Sequence, residues 1–427
     1  MKHRLTIPRV IGLVVVTFLL TLLGFNLASN GEARVRQPVK SAYAVADPQF
    51  VRAMGALLGP PLAAGNRAQT LLNGDQIFPA MLEAIEGAKK SITFETYIYW
   101  SGKTGKRFAD ALSARAKAGV RVHILVDWVG SQKMDEVLLD EMRAAGVEIY
   151  KYHPLHWYTL DRLNNRTHRK LLVADGRIGF TGGVGIADEW EGHAQDVNHW
   201  RDTHYRIEGP AVAQMQAAFA DNWMKVSGAV LHGSDYFPAI DSVGELHAQV
   251  FKSSADGGAE SMHLMYLLSV ASARESIDLS MAYFVPDDLA LGALVEALKR
   301  GVKIRIIMPG PVTDAALVRR ASRAKWGTIL AAGAELYEFQ PTMFHCKVLV
   351  VDGLWTSVGS TNFDERSFRL NDEANLNVYD RDFARRQRAD FEADLTRSRR
   401  ITFEAWRDRP LLEKAWEHVA ALLGPQL

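Results

Sequence analysis

The segments RTHRKLLVADGRIGFTGG and FHCKVLVVDGLWTSVGS each carry a His, a Lys and an Asp at one spacing: His168, Lys170 and Asp175 in the first, His345, Lys347 and Asp352 in the second. The surrounding elements repeat in the same order. SITFETYIY corresponds to SIDLSMAYF, and both read as short buried strands. Each follows a helical pattern, QIFPAMLEAIEGAKK in one half and ESMHLMYLLSVASARE in the other. FADALSARAKAGVRVHILVD then matches LGALVEALKRGVKIRIIMPG, each an amphipathic helix stopped at Gly119 or Gly301 and followed by a β-rich strand. AAGVEIYKYHP matches AAGAELYEFQP, and each half closes on its His/Lys/Asp strand. A repeat this long denotes two homologous domains, not a solenoid.

Strands alternating with helices imply right-handed βαβ crossovers. The expected fold is α/β: two duplicated α/β/α domains, mostly parallel sheets with helices on both faces, and an active site at the pseudo-twofold interface. The expected division is an N-terminal anchor and linker over 1–45, a first domain over 46–235 and a second over 236–427. The first half holds about ten extra residues around HPLHWYTLDRLN. Trp157 and Tyr158 in that loop suit either a membrane interface or packing on their own domain.

MKHRLTIPR precedes an uncharged apolar run over 10–28. At about 1.5 Å per residue such a run just crosses a hydrocarbon core about 30 Å thick. It exceeds the roughly 7–15-residue apolar core of a cleaved signal peptide. We expect one uncleaved transmembrane helix, although Gly31, Glu32 and Ala33 offer a small-x-small cleavage pattern. Lys2, Arg4 and Arg9 balance Arg34, Arg36 and Lys40, so positive charge does not fix the orientation.

Composition narrows the chemistry. Fifty Lys and Arg against 49 Asp and Glu leave a net charge of +1, so no basic surplus points to nucleic acid. The single cysteine, Cys346, excludes an intramolecular disulfide and a Cys-based zinc cluster. No HExxH, EF-hand or carboxylate cluster suggests a metal, and no cofactor is expected. GGVG lacks dinucleotide-loop spacing, and His153 with His156 belongs to the extra loop rather than to a zinc site.

Alternate strand residues share a face, so His345 and Lys347 project together while Cys346 points away; His168 and Lys170 pair in the same way. If the halves pack about a twofold axis, two imidazoles and two ammonium groups meet in one cleft. Two lysines side by side repel and are costly to desolvate, which implies an anion between them. A phosphodiester has that charge and shape. With each ammonium about 4 Å from a phosphoryl oxygen, the attraction is on the order of 4 kcal/mol at an effective dielectric near 20. One neutral imidazole then serves as nucleophile and one protonated imidazole as general acid. Each needs a carboxylate to set its tautomer. Asp202 in HWRDTHYRIEG and Glu373 in RLNDEANLNV follow the two motifs, and either could serve its own half or the other. Asp175 and Asp352, further along their strands, are expected to brace loop and sheet.

At these residues the chain resembles the phospholipase D superfamily, whose signature H-x-K-x4-D-x6-G-[GS]-x-N occurs in two copies. His345, Lys347, Asp352, Gly359, Ser360 and Asn362 match every position. His168, Lys170, Asp175, Gly182 and Gly183 match all but the last, where Gly185 stands for Asn. NNRTHRKLLVADG, WRDTHYRIEGPAV, MAYFVPD and GSTNFDERSFRLNDEANL are similar to the bacterial cardiolipin synthases. The resemblance covers nearly everything beyond the N-terminal segment. It implies a catalytic set of His168, Lys170, Asp175, His345, Lys347 and Asp352, with phosphate binding at Gly183, Ser360 and Asn362 and histidine orientation by Asp202 and Glu373. Gly185 deprives one half of the phosphate cage of a hydrogen bond, a loss of about 1.5–3 kcal/mol that water can offset.

The reaction so implied is phosphatidyl transfer. His168 attacks the phosphorus of phosphatidylglycerol, His345 protonates the departing glycerol, and His345 then activates a hydroxyl of a second phosphatidylglycerol to yield cardiolipin. Expected partners are phospholipids, phosphatidylethanolamine being another candidate second substrate, and the membrane; the expected location is the bacterial inner membrane. Hydrolysis by the same groups, as a phospholipase D or tethered nuclease, is the alternative. A decayed site that only binds anionic lipid is a third reading. The apolar N terminus, the flanking segments and the balanced charge favour a lipid acceptor.

Overall fold

The computed structural model describes residues 7–28, 35–154, 165–254 and 260–424. His156, Trp157, Tyr158 and the candidate cleavage site at 31–33 lie outside the described residues.

Each half contains the expected βαβαβ unit. In the first, the strands Ser91–Thr96, Arg121–Asp127 and Glu148–Tyr152 lie parallel, joined by the helices Lys103–Lys117 and Glu136–Ala144. In the second, Ser276–Met281, Lys303–Pro309 and Glu335–Phe339 repeat the pattern around the helices Asp288–Lys299 and Ala316–Ala331. Phe108 and Leu112 on one helix, and Leu291 and Leu294 on its counterpart, are buried against the sheet. Each such side chain contributes about 1.5–3 kcal/mol. Gly119 (φ 87°) and Gly301 (φ 90°) end their helices in the left-handed region that a Cβ disfavours.

The sheet is not mostly parallel. Beyond these units, antiparallel neighbours dominate among the described strands. The strands that follow the His/Lys pairs, Leu171–Ala174 and Lys347–Val351, run antiparallel to the first strand of their own βαβ unit. Each then turns back into Ile178–Gly182 or Trp355–Gly359. The reason is local. Asp175-Gly176 and Asp352-Gly353 all have positive φ, from 50° to 63°, which makes a tight hairpin where a parallel neighbour needs a long crossover.

Nor are there two separate sheets. Ala63–Leu72 pairs with Thr203–Glu208 on one side and with Leu246–Ser253 on the other, and Leu246–Ser253 pairs with Asn371–Tyr379. Among the described residues the halves therefore share one continuous 16-stranded sheet. Its third apolar cluster is common to both, joining Val212, Met215 and Phe219 of the helix Ala211–Ser227 to Val250, Leu376 and Phe383. That shared core holds the halves at one relative position.

Residues Ile7–Ala28 form a helix whose described apolar side chains, Ile11, Leu13 and Phe18 among them, are exposed. Some of its side chains lie outside the described set, and among the described residues no helix is long and apolar enough to cross a membrane.

Candidate active site

Two short parallel bridges stitch the halves together, and they create the site. Arg166 and Thr167 pair with Asn371 and Asp372, and the His168 amide donates to Asp372 O at 2.9 Å. The next residue on each strand is therefore His168 opposite Glu373. The mirror bridge joins Arg201 to Phe344, and the His345 amide donates to Arg201 O at 2.7 Å. That places His345 beside Asp202.

The side chains complete this exchange. His168 Nδ1 lies 2.9 and 3.0 Å from the two Glu373 oxygens, and His345 Nδ1 lies 2.8 Å from Asp202 Oδ2. Ionised carboxylates only accept, so both imidazoles carry hydrogen on Nδ1 and present Nε2 as the free base. Each carboxylate serves the histidine of the other half. Further donors hold them ionised in a dry place. Glu373 accepts from the Ser360 hydroxyl, while Asp202 accepts from Trp190 Nε1 at 2.9 Å and from the Thr203 amide at 2.8 Å. Burial pushes Glu373 up, but His168, Lys170 and Ser360 outweigh it and bring it down to about 2. Asp202 is lowered in the same way: burial opposes, and His345, Lys347 and Trp190 prevail.

Lys170 and Lys347 project to the same side as their histidines, as strand alternation requires. Lys170 Nζ donates to His168 O at 2.9 Å, and Lys347 Nζ donates to His345 O at 2.7 Å. The two halves differ at one point. Lys347 Nζ also lies 3.1 Å from His345 Nδ1 and 3.2 Å from Nε2, against the ring as a whole, whereas His168 Nε2 has no hydrogen-bond partner among the described residues. Burial is the main reason that His168 falls to about 4 and Lys170 to about 7; Glu373 pulls both upward, and the opposing ammonium groups push both down. His345 and Lys347 are lowered too, chiefly by burial. Cys346 points into the shared core, where burial pushes its thiol up.

His168, Lys170, His345 and Asn362 line one cavity of about 340 Å³, with Tyr97, Tyr283 and Trp190 in its walls. The cavity thus opens onto both imidazoles and the Lys170 ammonium group. A larger cavity of about 810 Å³, between residues 38–41 and the helix Asp288–Lys299, holds none of these groups.

Other expected residues take different positions. Asp175 does not face the cavity; its carboxylate accepts the Lys89, Lys90 and Ser91 amides at 2.6–3.0 Å. Asp352 likewise accepts the Arg274, Glu275 and Ser276 amides at 2.8–2.9 Å. Both brace the start of the neighbouring strand, so neither belongs with the His/Lys groups. Gly183 and Ser360 are turned to the carboxylates: a Cβ at Gly183 would overlap Asp202, and Ser360 bonds Glu373. Of the three expected phosphate ligands, Asn362 alone lines the cavity. Gly185 faces Ile98 and Trp190. A Cβ there would lie 2.8 Å from Ile98 Cβ and 3.2 Å from the Trp190 ring, so those side chains occupy the room an Asn would need.

Trp190 escapes the motif reading altogether. Its ring packs edge-on to His345 at 5.4 Å while its N–H holds Asp202, and Trp200 closes the other side at 5.6 Å. The missing Asn at Gly185 was the one signal that a larger neighbour fills that side of the site.

A family model described as "Cardiolipin synthase, PLD-like domain" matches residues 81–223 and 267–395, which include both His/Lys pairs and both carboxylates. The chain belongs to the cardiolipin synthase family of phospholipase D-like proteins. Among its relatives, cardiolipin synthase 2 of Bacillus anthracis is 37% identical over 84% of this chain and 70% of its own length. The cardiolipin synthase of Geobacillus kaustophilus is 35% identical over 86% and 74%. A solved structure of phosphatidylserine synthase from Haemophilus influenzae superposes with a TM-score of 0.65 over 84% of this chain and 95% of that one. At 13% identity that likeness concerns the fold. The family match and the fold make the chain a phosphatidyltransferase.

Proposed function

We propose that this protein is a phosphatidyltransferase that joins two molecules of phosphatidylglycerol into cardiolipin and glycerol. The observation that carries the reading is the pair of carboxylate-oriented imidazoles, with Lys170 and Asn362, in one cavity. His168 Nε2 attacks phosphorus and forms the P–N bond of a phosphatidyl-histidine as the P–O bond to glycerol breaks. His345 gives its Nε2 proton to that glycerol oxygen. The substrate's negative charge favours the protonated form of His345 on binding. His345 then takes the proton of the acceptor hydroxyl, whose oxygen displaces His168 from phosphorus. The division of labour rests on His168 Nε2, which has no hydrogen-bond partner among the described residues, whereas Lys347 Nζ lies against both nitrogens of the His345 ring. The Lys170 and Lys347 ammonium groups offset the charge on the phosphoryl oxygens, and the Asn362 amide donates a hydrogen bond to one of them. Phosphatidylethanolamine carries the same phosphodiester but no free hydroxyl, so it fits this mechanism only as an alternative donor, with ethanolamine as the group that departs.

In this reading the helix Ile7–Ala28 anchors the protein in the bacterial plasma membrane, where both substrates reside. The two halves, over 46–235 and 236–427, act as one catalytic unit.

Rapid quenching with ³²P-labelled phosphatidylglycerol tests the mechanism. Label should appear on the protein, resist base and be lost in acid, and be absent from His168→Ala. Cardiolipin and glycerol should form in equal amounts. Phosphatidic acid accumulating in place of cardiolipin would establish hydrolysis instead.

A further inference from the structure

We propose that the helix Leu411–Ala421 lies on the surface of the lipid bilayer and presents the mouth of the catalytic cavity to it. This helix is inverted relative to an ordinary surface helix. Glu417 is 1% exposed, whereas Leu412, Trp416 and Val419 are 72%, 57% and 53% exposed. The three apolar positions recur at i, i+4 and i+7, so they form one stripe. Its acidic residues are tied inward: Glu413 bonds Arg323 at 2.8 Å, and Glu417 pairs with Arg323 and Arg409. A helix in a globular protein buries its apolar stripe; a helix in a membrane interface turns it outward, with Trp at headgroup depth.

The position of the helix selects the bilayer as the occupant. Ala420 packs with Val285 and Ala321, and Val318 lies against the same cluster while lining the catalytic cavity. Leu317 and Arg320, on the helix that carries Val318, are themselves exposed. The helix thus packs by its inward face on the helix that lines the catalytic cavity, where Leu317 and Arg320 add an exposed apolar side chain and a cation suited to anionic headgroups. A two-chain phospholipid has to bring its phosphate to His168 while its acyl chains stay in lipid, and an apolar rim permits that. Such a rim is needed only if the protein transfers phosphatidyl groups, as proposed above.

The test uses the full chain reconstituted in vesicles of phosphatidylglycerol and phosphatidylcholine. Cys346 is buried, so Val419→Cys accepts an environment-sensitive label at the new thiol alone. We expect a blue-shifted emission, quenched at least fivefold by lipid brominated near the headgroup, and no shift for a label at Val137→Cys. Water-like emission at 419 overturns the proposal. So does a shift that disappears when the protein is diluted in excess lipid, which indicates a second copy of the chain as the occupant. In parallel, the combined Leu412→Ser, Trp416→Ser, Val419→Ser variant should lose at least tenfold in turnover of long-chain phosphatidylglycerol in vesicles. It should keep wild-type turnover of a short-chain phosphatidylglycerol dissolved as monomers. Equal loss on both substrates, or loss on neither, also overturns it. If the wild type turns over neither substrate, the transfer reading fails and the label alone decides the membrane contact.

Discussion

Glu373 lies 2.9 Å from His168 although the two residues are 205 positions apart and belong to opposite halves of the duplication. Asp202 and His345 repeat the relationship at 2.8 Å. Neither half holds a complete histidine–carboxylate pair, so each duplicate depends on the other for its chemistry. Glu373→Gln keeps the shape and an acceptor but removes the charge that stabilises a positive imidazole. We expect turnover to fall roughly 10²–10⁴-fold with the fold intact by circular dichroism. An equal effect is expected for Asp202→Asn, and wild-type rates in either variant would exclude the exchange as functional.

The histidine and lysine shifts set the pH response. His168 is lowered to about 4, so its free base persists well below the ordinary histidine range. The acid limb of kcat/KM should accordingly fall near pH 4 to 5 and not near 6.5. The same shift affects stability: the folded state disfavours the proton, so stability is full above about pH 6.5 and declines as pH drops toward 4. Lys170 at about 7 acts in the opposite range on binding. A dialkyl phosphate, which stays monoanionic, should bind more weakly as pH rises through 7 and take up a proton on binding. Calorimetry in buffers of different ionisation enthalpy measures that uptake.

Restoring the signature residue should harm this protein. In Gly185→Asn the new side chain meets Ile98 and Trp190, and overpacking of that kind costs about 1–3 kcal/mol. Displacing Trp190 should also loosen Asp202, so activity and thermal stability should fall together. Adding Ile98→Ala should recover part of both. A more active Gly185→Asn would show that the room exists after all.

Trp190→Phe isolates one hydrogen bond. The ring stays against His345, but Asp202 loses its indole donor and keeps Thr203. A bond to a charged acceptor contributes about 1.5–3 kcal/mol, so we expect kcat to drop by roughly tenfold or more with KM little changed. A structural role alone would lower the melting temperature and leave kcat unaltered.

Asp352→Ala tests the bracing role. Three backbone amides lose their shared acceptor at the start of a buried strand. The expected result is a loss of about 2–3 kcal/mol in urea denaturation, with kcat per folded molecule within about twofold of wild type. Loss of chemistry at unchanged stability would return Asp352 to the catalytic set.

What the chain alone determines is whatever depends on neighbours in sequence. The helices and strands of each βαβ unit follow from apolar period and from Gly119 and Gly301. The shared face of His168 and Lys170, or of His345 and Lys347, follows from strand alternation. Even the antiparallel turn after each motif was present in the Asp-Gly pairs, although the βαβ pattern suggested a parallel sheet. The tertiary structure decided the rest, because those contacts join residues distant in sequence. Fusion of the halves through Ala63–Leu72 and Leu246–Ser253 and the exchange of carboxylates across the bridges at 166–167 and 201 arise from pairing between halves, while the room at Gly185 is filled from within the first half by Ile98 and Trp190. Periodicity reports which face of a strand is buried; it carries no information on which distant strand lies beside it.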